Sequence, residues 1–151
     1  MIMSLDNIFD SKTILPELTG KTKEEAFFEL VDAIAAAHPE CNQEAVLASL
    51  WEREKKLSTG IASGVAIPHA VHSDIGTIAG ALGISRAGIE YDALDKKPVH
   101  AIFMLVMNES ARENHLHILA QISTLVHTDA IAQIIETNDV QKIHAILSRF
   151  K

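Results

Sequence analysis

The sequence has 151 residues, of which 48% are hydrophobic and 22% are charged, so it is long enough for one globular domain with its own core. The formal net charge of -7 opposes binding to a polyphosphate such as nucleic acid, and no local basic cluster offsets it. No apolar run reaches the roughly 18 residues of a membrane-spanning helix, and the N-terminus lacks a signal-peptide pattern. We therefore expect a single cytoplasmic domain over residues 1–151, without membrane insertion.

The N-terminal part predicts a short extended section followed by a capped helix. Residues Ile8–Phe9 and 13–15 are expected to be extended. Thr22 and Glu25 have the S/T-x-x-E spacing of a capping box, which predicts the start of a helix. Apolar residues over 26–35 then recur on one helical face, so we expect this helix to pack against the core.

A second helix is predicted to begin after the cap residue Asn42. Its apolar positions over 46–51 form a stripe that faces the core, and residues 52–56 end the helix with a charged turn.

Later in the chain, two apolar runs predict strands that are buried on both faces. These runs cover 77–84 and 99–107, and the polar segment 86–98 between them is expected to be a loop with a short extended piece. The last third predicts helices over 111–126, 131–136 and 140–150, with Asp139 as a cap. The order of helices, strands and helices favours an α/β fold around one mixed sheet.

The candidate chemistry begins in the segment STGIASGVAIPHA, residues 58–70. A short strand over 65–67 and the restricted backbone of Pro68 hold His69 at the end of that strand. A neutral histidine is a competent nucleophile near pH 7, and its second ring nitrogen can be oriented by a backbone carbonyl. His69 is therefore a candidate acceptor of a phosphoryl group.

The residues just before the strand are candidates to support such a group. Gly60 and Gly64 are interpreted as positions where the backbone can approach an oxyanion closely, with the hydroxyls of Ser58 and Thr59 beside them. The segment lacks the Gly-Lys-Ser/Thr of a nucleotide-binding P-loop, which disfavours nucleotide binding.

Helical geometry separates two further histidines. His115 and His117 are about 200° apart on a helix, so at most one of them can face inward with Ile122. His115 lies at the edge of the apolar stripe and is the inward candidate. Taken alone, it could equally be a histidine at the border of the core.

Arg53 is the third candidate, because it lies three residues after Leu50 at the inward flank of the second helix. It could form a surface ion pair with Glu52 or Glu54. Alternatively, its guanidinium could hold a phosphoryl group by two parallel hydrogen bonds, which a lysine cannot do. Two imidazoles and a guanidinium suit transfer of a phosphoryl group through nitrogen, and this chemistry requires no metal.

At these residues the sequence resembles a known family. The run REKKLSTGIASGVAIPHA, residues 53–70, closely resembles the signature of the fructose/mannitol-type (type 2) enzyme IIA domains of the bacterial phosphoenolpyruvate-dependent phosphotransferase system. That group includes the stand-alone nitrogen-regulatory IIA proteins. The run ENHLHILAQIS, residues 113–123, resembles the family's second element, a helix that opens with His-Leu. The capped first helix and the two strand runs also fit, so the resemblance covers nearly the whole chain.

The resemblance implies a mixed parallel and antiparallel sheet sandwiched by helices, with no cofactor and no metal. It implies that His69 accepts the phosphoryl group as a tele-phosphohistidine and that His115 and Arg53 complete the site. The assignment of His115 agrees with the helical-face argument. The implied donor is an HPr-like phosphocarrier protein, and the implied receivers are a IIB domain or regulated target proteins. Two departures from the family pattern are Ala62-Ser63, where Gly-Asn is frequent, and Val71-His72, where many members have a basic residue.

We favour a regulatory phosphocarrier, a phosphotransferase component in nitrogen- or potassium-linked signalling, because the chain has no permease segment or linker to a IIB domain. The alternative is a stand-alone fructose- or mannitol-specific IIA component that passes phosphate to a IIB domain for sugar uptake. The expected assembly is a monomer or a weak homo-oligomer.

Two other classes of function are less well supported. One is a metal-dependent hydrolase with His69, His72 and His115 as ligands and Asp74 completing the site, but a neighbouring Arg53 would repel a dication. The other is an interaction module that never carries phosphate.

Overall fold

The computed structural model describes residues 4–150 and has one mixed β-sheet with helices packed on both faces. The helices are α1 (Leu5–Ile8), α2 (Lys23–Ala37), α3 (Gln43–Lys56), α4 (Arg112–Val126), α5 (Ala130–Glu136) and α6 (Val140–Leu147). The strands are β1 (Ile14–Leu15), β2 (Val65–Ala66), β3 (His69–Val71), β4 (Ile78–Ile89) and β5 (Val99–Met107). A short 3-10 helix, Glu109–Ala111, precedes α4. The predicted α/β class and the mixed sheet are confirmed.

The predicted helix starts are confirmed by their side-chain caps. The Thr22 hydroxyl accepts a hydrogen bond from the backbone N–H of Glu25, 3.1 Å away, and the Glu25 carboxylate accepts one from the backbone of Thr22. The side chain of Asn42 accepts from the N–H of Ala45 at the start of α3. Asp139 caps α6 in the same way. These contacts satisfy N–H groups that have no partner inside the helix.

The strand order is β1-β4-β5-β2, and β3 also pairs with β5. The β4–β5 pair is antiparallel, whereas β1 is parallel to β4, and both β2 and β3 are parallel to β5. The strands β2 and β3 thus form one edge of the sheet, interrupted at Ile67 and Pro68. Their register is continuous, because Val65 pairs with Ala101 and His69 with Leu105.

The two faces of β5 pack into separate cores. Phe103 and Leu105 contribute to the core beneath α1, α4, α5 and α6, whereas Ile102 and Met104 contribute to the core beneath α2 and α3. Successive side chains of a strand point to opposite faces of a sheet, so a strand covered on both faces is apolar at every position. This explains the apolar run over 101–107, whereas the half-buried His100 contacts the carbonyl of Ser85 through Nδ1.

Three boundaries differ from the sequence prediction. Ile8 is the last residue of α1 and is not extended, although Phe9 after it is. The strand β4 continues through Ile89, so it includes residues that were predicted to be a loop, with an irregularity after Ile84. The last helix ends at Leu147. The start of α1 is held locally, because the Asn7 side chain accepts from the N–H of Ser4, whereas β4 is extended by the pairing of Ile89 with Val99 on β5.

Within residues 4–150, no single helix is both long enough and apolar enough to cross a bilayer. A bent pair of helices, Glu109–Val126 and Ala130–Glu136, meets the length and composition criteria together, with an 82° bend between them. Ile118 and Ile134, on α4 and α5, pack in the core.

Candidate functional site

His69 is the first residue of β3 and is half-buried. Its Nδ1 lies 2.8 Å from the backbone carbonyl oxygen of Ile67. A carbonyl can only accept a hydrogen bond, so Nδ1 carries the proton and Nε2 keeps its lone pair. The ring therefore offers Nε2 as the nucleophilic atom, which is the arrangement expected from the sequence.

His115 lies in the first turn of α4 and is only 5% exposed. The centroid of its ring is 5.4 Å from that of His69, with an angle of 49° between the ring planes. His117, in contrast, points away and makes a 2.9 Å contact between its Nε2 and the side-chain nitrogen of Gln121. The inward orientation predicted for His115 is confirmed, and the structure brings His115 and His69 together.

The environment of His115 keeps its ring neutral. Burial, and to a smaller extent the neighbouring His69, lower the pKa of His115 from 6.5 to about 4. Its Nδ1 is buried and has no hydrogen-bond partner within residues 4–150. The ring can therefore meet a ligand only through Nε2.

Arg53 lies in the last turn of α3 and lines the same cleft as His69, a space of about 340 Å³. One of its guanidinium nitrogens, Nη1, donates a hydrogen bond to the carbonyl of Leu57 at 2.9 Å. A guanidinium has five N–H groups, so most of its donors remain for a ligand. Lys56 also lines the cleft, whereas Glu52 adds an opposing charge.

The residues predicted to support a phosphoryl group have contacts different from those expected. The hydroxyl of Thr59 is buried, 2.6 Å from Glu54 Oε1 and 2.7 Å from the hydroxyl of Tyr91. The Ser58 hydroxyl accepts a hydrogen bond from the N–H of Gly60 at 3.2 Å. Direct contacts from Ser58, Thr59 and Gly60 to a phosphoryl group stay a prediction.

Gly60 and Gly64 lie where the chain packs closely on itself. A Cβ on Gly60 would lie 2.7 Å from the Cβ of Ala93 and 2.8 Å from the ring of Tyr91. Gly64 has a φ of 74° and ends a turn. Its carbonyl accepts hydrogen bonds from the N–H groups of His100 and Ala101. The absent side chains therefore allow close packing of the chain on itself, and the approach of this backbone to an oxyanion stays a prediction.

Glu54 lies beside the site but was not among the predicted site residues. Glu54 is 6% exposed, and its carboxylate forms a 2.9 Å ion pair with Lys23. Burial raises the pKa of Glu54, but hydrogen bonds from Thr59 and Lys23 outweigh burial and leave the pKa below its ordinary value. Glu54 follows Val46 and Leu50 at intervals of four residues, so a carboxylate on the apolar stripe was the available signal.

The far edge of the site contains Val71 and His72. Val71 is 47% exposed, and His72 accepts a hydrogen bond through Nδ1 from the backbone of Asp74 at 3.2 Å. In the part of the chain that the structure describes, no three His, Cys, Asp or Glu side chains form a cluster that could hold a metal ion.

Comparison with known proteins gives a consistent result. The family model for the phosphoenolpyruvate-dependent sugar phosphotransferase system, EIIA 2, matches residues 7–150. A nitrogen regulatory protein from Bradyrhizobium diazoefficiens is 33% identical over 97% of this chain and 95% of its own length. A fructose-specific EIIA component from Haloferax volcanii is 32% identical over 94% of this chain and 97% of its own length. The fructose-specific EIIABC component of Bacillus subtilis is 32% identical over 97% of this chain, which spans only 23% of that protein.

Solved structures agree with this relationship. The nitrogen regulatory protein IIA-Ntr from Neisseria meningitidis superimposes with a TM-score of 0.87 at 28% identity, over 95% of this chain and 98% of that one. The Escherichia coli enzyme IIAMTL, solved in complex with phosphorylated enzyme IIBMTL, has a TM-score of 0.79 at 15% identity. The superposition covers 93% of this chain and 99% of the IIAMTL chain, which has the same fold.

The depressed pKa of His115 predicts a pH-dependent contribution to stability. The pKa of His115 is about 4 in the folded protein and 6.5 in the unfolded chain. As the pH falls, the unfolded chain therefore binds a proton at a higher pH than the folded protein does. This contribution is fully present above pH 6.5 and is lost between pH 6.5 and about 4, at most about 3 kcal/mol. The free energy of unfolding, measured by urea denaturation at several pH values, should fall less steeply with pH in His115→Gln than in the wild type.

The exposed His127 provides the control for this measurement, because His127→Gln should retain the wild-type pH dependence. Identical pH dependence in His115→Gln and the wild type would contradict a neutral, buried His115.

Proposed function

Since the chain belongs to the phosphoenolpyruvate-dependent sugar phosphotransferase system EIIA 2 family, we propose that it carries a phosphoryl group on Nε2 of His69. The observation that supports this most directly is the hydrogen bond from His69 Nδ1 to the carbonyl of Ile67. It fixes the ring with the lone pair of Nε2 available. His115 and Arg53 border the same site.

We propose that transfer proceeds by in-line displacement between two nitrogen atoms. The lone pair of His69 Nε2 attacks the phosphorus of a phosphohistidine on an HPr-like carrier protein. A new N–P bond forms, and the N–P bond of the carrier breaks with its electron pair returning to the carrier's ring. The N–H of Nδ1 remains on His69, and the Ile67 carbonyl stabilises the positive charge that develops on the ring.

Two side chains are proposed to bind the phosphoryl oxygens. A neutral His115 donates one hydrogen bond through Nε2–H, because its other ring nitrogen is buried. The Arg53 guanidinium donates two parallel hydrogen bonds to equatorial oxygens. Both interactions strengthen as charge spreads over these oxygens in the transition state, so they lower the barrier to transfer.

For the role in the cell, we propose a regulatory phosphocarrier whose phosphorylation changes its binding to target proteins in the cytoplasm. The superposition with the Neisseria nitrogen regulatory protein, at 28% identity, supports this choice. The second candidate is a sugar-specific IIA component that passes phosphate to a IIB domain. Fructose-specific relatives of almost equal identity support it, including one of nearly the same length as this chain. In either role we propose a monomer or a weak homo-oligomer.

The first prediction for this function concerns the acceptor atom. Incubation with phosphoenolpyruvate, enzyme I and a carrier should add one phosphoryl group, labile in acid, to the wild type and none to His69→Gln. Intact-protein mass spectrometry measures the addition. A wild type that gains no mass, or a His69→Gln variant that is phosphorylated normally, would refute the assignment.

The second prediction concerns the two supporting residues. Arg53→Ala should fold, because the side chain lines an open cleft, and circular dichroism checks the folding of His115→Ala, which removes a buried ring. Each variant should slow phosphorylation. The loss of a hydrogen bond to a charged group is worth about 1.5–3 kcal/mol, or about ten- to hundredfold in rate. Rapid-quench kinetics measures the rate, and His117→Ala is the control that should react as the wild type does. A wild-type rate in either variant would remove that residue from the proposed mechanism.

The third prediction distinguishes the two roles. As a regulatory protein, the chain should accept phosphate faster from the nitrogen-branch carrier than from HPr, and should not transfer it readily to a fructose or mannitol IIB domain. Time courses with each phosphorylated carrier, followed by addition of IIB, test this. Preference for HPr with rapid transfer to IIB would establish the sugar-transport role instead.

A further inference from the structure

A continuous set of contacts links a buried carboxylate to the ring of His69. Glu54 contacts Thr59 through two hydrogen bonds, one from the backbone N–H at 2.9 Å and one from the hydroxyl at 2.6 Å. The carbonyl of Thr59 accepts the N–H of Ile67 at 3.0 Å. The carbonyl of Ile67 in turn accepts Nδ1–H of His69 at 2.8 Å. Two residues, Thr59 and Ile67, therefore separate Glu54 from the candidate acceptor.

The direction of each hydrogen bond near Glu54 follows from its chemistry. A carboxylate only accepts, so the single hydroxyl hydrogen of Thr59 points to Glu54 Oε1. The hydroxyl of Tyr91 lies 2.7 Å from Thr59 Oγ1 and 3.3 Å from Glu54 Oε1, so it donates its hydrogen to the nearer Thr59 oxygen, with Glu54 as a second, longer acceptor. Lys23 donates to Glu54 Oε2 at 2.9 Å. Both carboxylate oxygens are thus occupied, and the orientation of Thr59 is fixed on its N–H and hydroxyl sides.

Lys23 and Tyr91 hold this carboxylate in place. The ammonium group of Lys23 also donates to the backbone carbonyl of Tyr91 at 3.1 Å and lies 4.1 Å from the centroid of its ring. Glu54 is 6% exposed, and removal of one partner from a buried ion pair leaves an unpaired charge. The three side chains from α2, α3 and the segment after β4 therefore form one rigid support.

These contacts hold the segment just before His69, where the sheet supplies few hydrogen bonds. Ile67 and Pro68 interrupt the edge between β2 and β3, and only the Pro68 carbonyl pairs with β5, through the N–H of Leu105 at 2.9 Å. The N–H of Ile67 instead pairs with Thr59. Ile67, whose carbonyl orients His69, is thus held through its N–H by Thr59, and Thr59 in turn is held by Glu54.

We propose that Glu54 is a positioning residue for phosphoryl transfer, which holds His69 with Nδ1 protonated and Nε2 free by fixing Thr59 and, through it, the carbonyl of Ile67. The effect on transfer rate rests on the proposed function, whereas the effect on the ring does not. Arg53 precedes Glu54 on α3, so the end of this helix presents the guanidinium to the cleft on one side and anchors the acceptor's support on the other.

The experiment compares wild-type protein with Glu54→Gln, both labelled with ¹⁵N in histidine. A glutamine has nearly the same shape, but it has one acceptor oxygen and no charge, so it cannot bind Lys23 and both donors of Thr59. In two-dimensional ¹H–¹⁵N spectra at about pH 8, where neutral imidazole predominates, wild-type His69 should be protonated at Nδ1. In Glu54→Gln the nitrogen shifts should move towards a mixture of tautomers. Phosphorylation should slow by about ten- to hundredfold, because small misplacements of a reacting group have effects of this size.

The matched control is Glu44→Gln, an exposed glutamate in the first turn of the same helix, which should give the wild-type spectrum and rate. If Glu54→Gln does not fold, as judged by circular dichroism, Thr59→Val replaces it, since this variant loses the hydroxyl but keeps the Lys23–Glu54 pair. A folded variant with the wild-type tautomer of His69 and the wild-type rate would overturn the proposal.

The two proposals can fail separately. If the wild type accepts no phosphate but the tautomer of His69 changes in Glu54→Gln, the proposed function is wrong and the positioning role of Glu54 stands. If the wild type is phosphorylated and neither the tautomer nor the rate changes in the variant, the positioning role is wrong and the function stands.

Discussion

The pairing of β5 on both of its edges is the constraint on which the site depends. It binds β4 on one side and both β2 and β3 on the other, and its two faces lie in two different cores. Because β3 runs parallel to β5, the two strands end together, with Val71 opposite Met107. The chain leaves β5 at Asn108, whose side chain binds the carbonyl of Ile75 and the N–H of Ser110. The helix that follows then brings His115 next to His69, at the start of β3.

The two histidines are held in different ways. His69 is oriented by a carbonyl, and His115 is held by burial with its pKa lowered to about 4. In the proposed transfer, a neutral His115 donates a hydrogen bond without placing a second positive charge beside the ring of His69. The fixed positive charge at the cleft is instead supplied by Arg53, with Lys56 near it.

Local sequence signals predicted the helix caps and the inward orientation of His115, because each signal requires only a few neighbouring residues. Thr22 and Asn42 capped the predicted helices, and periodicity alone separated His115 from His117. The surroundings of the site were not predictable in this way. The partners of Glu54 are distant in sequence: Lys23 is 31 residues away and Tyr91 is 37 residues away. Likewise, Gly60 packs against Ala93 and Tyr91, which only folding brings next to it.

The break at Ile67 and Pro68 also affects how the protein meets other chains. The outer strand position of the sheet contains only the two residues of β2 and the three of β3, and the bridge between Gly60 and Ala66 covers part of it. Pro68 has no N–H to offer to a further strand. A continuous edge strand is a template for edge-to-edge aggregation, and proteins prevent this with short strands and prolines. The same interruption that presents His69 therefore protects this edge of the sheet against the addition of foreign strands.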